Sequence, residues 1–148
     1  MPLSITTLHP LFSEFPLPVL VMFAIFETRY LWRDKQFSQV LISRIVIISV
    51  LFSYLTGYLA KDQASITFAV PTSAIMIHQS LGLATLISTL LLSLSCELVE
   101  IFPQHRFLRQ AMRCLLIVCL ISTILANHFG GALVFDFGAG VRATISRL

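Results

Sequence analysis

The chain has 148 residues, of which 57% are hydrophobic and 11% charged, with a formal net charge of +3. A soluble domain of this length cannot hide so much apolar surface, so the composition predicts an integral membrane protein and excludes an ordinary water-soluble enzyme. The basic balance does not point to nucleic acid, because no basic stripe with interleaved aromatics is present; membrane topology accounts for it instead.

The opening "MPLSITTLHPLF" carries no Lys or Arg. It therefore lacks the basic n-region of a cleavable signal peptide and is expected to remain in the mature protein. A helix needs roughly 20 apolar residues to cross the hydrocarbon, and four segments meet or approach that length, at about 15–32, 37–60, 72–101 and 108–128. The first, "FPLPVLVMFAIFETRYLW", begins with two prolines and closes on Glu27, Arg29, Tyr30 and Trp32 at interface depth. The second is rich in Ile and Val and is followed by a loop, "KDQASITFAV". The third follows Pro71, with Thr72 or Ser73 as its expected helix cap. The fourth ends in "ANHFGG", and Gly130-Gly131 is the expected stop. The tail 129–148 is expected to fold as a lid over that end of the bundle.

These elements predict an all-α membrane protein: one four-helix transmembrane domain, arranged as an up-down bundle. Seven of the ten basic residues (Arg29, Arg33, Lys35, Arg44, Arg106, Arg109 and Arg113) border the first and third connections, leaving Lys61, Arg142 and Arg147 on the other side. The positive-inside rule places the seven in the cytoplasm and both termini outside, as in a bacterial inner membrane. Cys96, Cys114 and Cys119 lie in or beside apolar runs and read as small hydrophobes rather than disulfide partners.

In this topology His9, His78 and His128 reach the same membrane face, while His105, in "FPQHRFLRQ", stays among arginines on the other as a solvated loop residue. Ionisable side chains at membrane depth are costly and usually face a bundle interior or a partner. Neutral imidazole is the ligand that haem iron takes in pairs, and bundles build cofactor sites from facing helices. Gly82, one turn from His78, and Gly57, in "LTGYLA", would let a flat macrocycle approach the backbone. Thr56, Thr72, Ser73 and Gln79 are at the depth of oxygen partners for the second imidazole nitrogen, and Glu14 and Asp136 are nearby acids. His78 and His128 would come from neighbouring helices, His9 and His78 from diagonal ones; the sequence does not choose the pair.

Four stretches, "HPLFSEFPLPVL", "TGYLA", "IHQSLGL" and "NHFGGALVFDFGAGV", resemble successive signatures of the bacterial membrane family catalogued as domain of unknown function 2231. The exit motif is the most specific, matching at His128, Gly130, Gly131, Leu133, Val134, Gly138, Gly140 and Val141, with Phe135 in place of Tyr. At the start His9, Pro10, Phe15 and Pro16 match, but Glu14 stands where the family has a second His, so a ligand role there does not carry over. The resemblance implies a four-helix redox-type or haem-binding membrane protein.

The expected function is thus a small haem b protein or redox subunit that passes electrons near the outer membrane face, with one haem held by two of His9, His78 and His128. Its partners would be the lipid bilayer and other membrane subunits or a periplasmic electron carrier. Two other classes fit the composition: a copper-site membrane protein and a cofactor-free accessory subunit of a larger complex. Met76 would suit copper, but it stands about 200° around the helix from His78. No nucleophile–base pair, phosphate loop or zinc spacing suggests a hydrolase.

Overall fold

A computed structural model describes residues 5–28 and 39–139. Among them are five helices, α1 (Ile5–Ser13), α2 (Pro16–Thr28), α3 (Gln39–Phe68), α4 (Thr72–Ile101) and α5 (Arg106–Phe135), and no strand. Four elements are long and apolar enough to cross a membrane: Leu8–Thr28, Gln39–Phe68, Thr72–Ile101 and Arg106–Phe135. The predicted span ends at Arg29, Tyr30 and Trp32, the neighbouring Arg33 and Lys35, and the tail from Gly140 to Leu148 lie outside the described residues.

The first span is two helices rather than one. Pro16 has no N–H to donate and opens α2, and the chain turns through Glu14 and Phe15 between the two pieces. This break lets α1 leave the line of α2 and lie against α3, where Phe12 stacks on Phe52 with centroids 6.0 Å apart. Glu14 therefore sits in the turn between α1 and α2.

The four spans form a closed ring in which α2 touches α3 and α5, α3 touches α4, and α4 packs most extensively on α5. Short connections, 69–71 and 102–105, make α3, α4 and α5 successively antiparallel. On α3 the buried residues Ile42, Val46 and Val50 recur every four positions, while Ile45, Ile48, Leu51, Leu55 and Leu59 face outward. The core combines Leu20, Phe23, Val46, Leu92, Met112 and Leu116 with buried hydroxyls, including Thr85, Ser88, Thr89, Ser93, Ser122 and Thr123. Lipid is as apolar as Leu, so helices in a membrane gain from close approach at small residues, and most of these hydroxyls are satisfied by a carbonyl of their own helix. Ser43 and Ser93 instead meet across α3 and α4 at 3.1 Å.

Three sequence expectations are corrected. The segment after Ala60 is not a loop: α3 runs 30 residues to Phe68, about 45 Å, longer than the hydrocarbon is thick. It is followed by Ala69 at φ 52°, a left-handed conformation uncommon for a residue with a Cβ, between the buried Phe68 and Val70. Neither Thr72 nor Ser73 caps α4; Pro71 occupies the N-cap without a side-chain bond, and its carbonyl accepts from Ala74 and Ile75.

Gly130-Gly131 does not stop α5 either, so residues 129–135 continue the helix rather than begin a lid. Breaking a helix at membrane depth would leave backbone groups without water to bond, and glycine is tolerated there when the ladder stays intact. The turn comes at Gly138, φ 69°, where the Gly138 and Ala139 N–H groups bond Val134 and Leu133 carbonyls.

Candidate functional site

The helix order places the starts of α1 and α4 and the ends of α3 and α5 at one end of the bundle. There α1 brings His9 onto α3, α4 brings His78 onto α5, and the two imidazoles meet with centroids 5.8 Å apart and planes at 66°. Each ring rests on a glycine of the neighbouring helix. A Cβ added to Gly57 would stand 2.7 Å from His9 Cε1, and one added to Gly130 would stand 2.7 Å from His78 Cε1. No side chain fits either position while the ring stays where it is.

Each ring is also held by a hydrogen bond at Nδ1. His78 Nδ1 lies 3.0 Å from the Ala126 carbonyl, which can only accept, so Nδ1–H donates. His9 Nδ1 lies 3.1 Å from Thr56 Oγ1. The single Thr56 hydroxyl hydrogen is already directed at the Phe52 and Ser53 carbonyls, at 2.8 and 3.0 Å, so here too the imidazole donates. Assigned from these partners, both neutral rings carry hydrogen on Nδ1 and keep a lone pair on Nε2. Metal-binding histidines usually show this arrangement, with the second nitrogen fixed by an oxygen.

The pair borders a cavity with two compartments. The upper, about 410 Å³, is lined by His9, Glu14, Lys61, His78, Gly130 and Val134 among others. The lower, about 70 Å³, reaches between the helices past Tyr54, Gly82, Thr85 and Thr123. Both include His9, Gly57 and His78. The upper volume lies within the range of small-molecule and cofactor sites, about 300–1,000 Å³.

Not all sequence candidates converge. His128 is exposed, its ring lies against Phe129 at 5.4 Å, and it lines neither compartment. The reason is helical phase: Ala126 and Gly130, four apart, face α4, so His128, two residues from each, points about 200° away. Gly82 lines the lower compartment but meets Tyr54, not a histidine, with its added Cβ at an ordinary 3.6 Å. Met76 is exposed and lines neither compartment. His105 is exposed at the opposite end, on the N-cap of α5, its ring 5.9 Å from Phe102.

Of the proposed oxygen partners Thr56 bonds a histidine and Gln79 lines the lower compartment, while Thr72 and Ser73 do neither. Three contributors escaped the sequence reading: the Ala126 carbonyl, Gly130 as the cradle of His78, and Lys61 on the cavity wall. The small residues Ala126 and Gly130 at i and i+4 were the available signal for the first two.

Two imidazoles match the number of protein ligands that a haem iron would take. Among the described residues no group of three or more His, Cys, Asp or Glu is placed to hold a metal, so a bare ion would gain two protein ligands. Haem iron needs only two, since the macrocycle supplies four nitrogens. With imidazole–metal bonds of about 2.0–2.1 Å, rings on opposite sides of one iron have centroids about 6.4 Å apart. The observed 5.8 Å is about half an ångström shorter.

The fold and site together define a helical protein with four helices able to span a membrane and a half-buried histidine pair at one end of the bundle. No family model, curated protein or solved structure matches this chain.

The glycine cradles yield a prediction. Gly130→Ala should push the His78 ring off its hydrogen bond to Ala126 and, for any metal or cofactor that this ring ligates, lower affinity by about 10- to 100-fold, the usual loss when an outer-shell partner is disturbed. Gly131→Ala is the control, since an added Cβ there meets only Phe135, at 3.9 Å. Equilibrium titration of both variants checks it.

Proposed function

We propose that this protein is a haem b-binding membrane protein that passes electrons near one membrane face, with His9 and His78 as the axial pair. The observation that carries the reading is the pair itself: two imidazoles 5.8 Å apart, each with Nδ1–H committed to an oxygen and Nε2 left for a ligand. Bound haem supplies a one-electron iron couple. Thr56 and Ala126 set the ring orientations, Gly57 and Gly130 fix the ring positions, and the apolar wall around them limits water access, which tunes potential. Its resemblance to the domain-of-unknown-function family belongs to the same proposal.

A reduced-minus-oxidised visible spectrum of the purified protein tests the reading: sharp α and Soret bands are expected. Their absence, with copper found by metal analysis, would install the copper reading. Absence of both would leave the cofactor-free accessory subunit, which the lipid-facing apolar helices equally allow.

The histidine end is proposed to face outward in a bacterial inner membrane, with both termini on that side, from the seven-to-three division of basic residues. An electron carrier or membrane subunit on that side is the proposed partner. A reporter fused after Leu148 should be active outside the cytoplasm; activity only inside would invert the topology.

A further inference from the structure

We propose that Lys61 is the anion anchor of the histidine cavity, the residue that takes a carboxylate of the ligand held there and, for haem, a propionate. The inference rests on the haem reading above. Among the described residues, Glu14 and Lys61 are the two formally charged residues lining the cavity, histidines apart, and Lys61 alone lines both compartments.

Its position follows from α3. Val50, Tyr54, Gly57 and Lys61 recur at three- and four-residue steps, so Lys61 continues the inward face that supports His9. It stands one turn beyond Gly57, about 6 Å nearer the end of the helix. Haem b carries both its carboxylates on one edge, and that edge is expected to lie toward the bundle end, where water and a cation solvate it. The continuation of α3 beyond residue 60 puts the lysine on that wall instead of in a loop.

The ammonium is also available. Among the described residues Lys61 forms no ion pair, and its Nζ sits 4.2 Å from the centroid of Tyr58, a ring that lines the lower compartment. A cation held on an aromatic face retains donors for an anion. Glu14, across the upper compartment, opposes an anionic ligand.

The test compares haem with its dimethyl ester, which keeps the macrocycle and iron but has no carboxylate. Both are titrated into detergent-solubilised full-length protein and followed by their Soret bands. Wild type should prefer haem, and Lys61→Met should lose about fivefold in haem affinity, the worth of a partly exposed ion pair, while binding the ester as wild type does. Lys61→Glu should lose more, and Glu14→Gln should gain. Equal losses for haem and ester in Lys61→Met would overturn the anchor by showing a packing effect. Unchanged haem binding in that variant would overturn the anchor and leave the haem reading standing. Failure of wild type to bind either porphyrin would overturn both.

Discussion

His9→Ala and His78→Ala are each expected to abolish stable haem binding, whereas His128→Ala should keep a normal six-coordinate spectrum. The first two each remove one of the two imidazoles that meet at 5.8 Å centroid separation, and with it the Nε2 lone pair that the hydrogen bonds at Nδ1 leave for a ligand. They also leave the Thr56 hydroxyl or the Ala126 carbonyl without its imidazole donor. The third removes a ring that lies on the outside of α5 and lines neither compartment. Visible spectra of purified variants at matched protein concentration decide it. Added imidazole should restore a six-coordinate spectrum in either alanine variant, because the cavity left by the side chain accepts the free ring; rescue separates a lost ligand from a lost fold. Full haem occupancy in both His9→Ala and His78→Ala would end the assignment of this site.

The second large effect is expected at the opposite end of the bundle, where Arg113→Ala should destabilise the fold by about 3 kcal/mol. Arg113 Nε donates to Glu27 Oε1 at 2.8 Å, and Gln39 Nε2 donates to Glu27 Oε2 at 2.6 Å, so one carboxylate ties α2 to both α5 and α3. The Glu27 side chain is only 6% exposed, against 49% for Arg113. Removing the arginine leaves a nearly buried carboxylate with one neutral donor, and breaking such a pair costs more than the pair contributes. The half-exposed arginine puts the estimate at the low end of the 3–5 kcal/mol typical of fully buried pairs. The double change Glu27→Leu with Arg113→Leu should recover most of the loss, since it leaves no unpaired charge. By contrast Arg44→Ala, which breaks the 3.4 Å pair with Glu97, should cost well under 1 kcal/mol because both partners are exposed. Denaturant unfolding in one detergent, with all four proteins side by side, checks the order. If Arg113→Ala matched Arg44→Ala, Glu27 would have to be solvated rather than buried.

These two ends were unequally legible. That Glu27 would lie at interface depth followed from the length of the first apolar run, but its choice of Arg113 on α5 required the ring closure of α2 against α5. The paired histidines were legible as residues, not as a pair. Depth along the chain put His9, His78 and His128 at one end, but depth carries no information about which way a side chain points. Gly130 was misread for a related reason: glycine after an apolar run signals a helix stop in water, whereas here its missing Cβ makes room for His78 and the helix continues.

The class of structure was legible from the chain alone, because four apolar runs of spanning length admit only helices whose backbone groups are satisfied internally. So were the residues chemically able to form a site, since few ionisable side chains lie within those runs. The pairing of His9 with His78 came from packing between helices. The break before Pro16 swings α1 onto α3, the spacing of Ala126 and Gly130 turns that face of α5 toward α4, and His128 is left outside by the same rotation. A rotation of 100° per residue about a helix axis changes neither composition nor hydropathy. It is fixed by which small residues let neighbouring backbones approach, and that is settled between helices rather than within one.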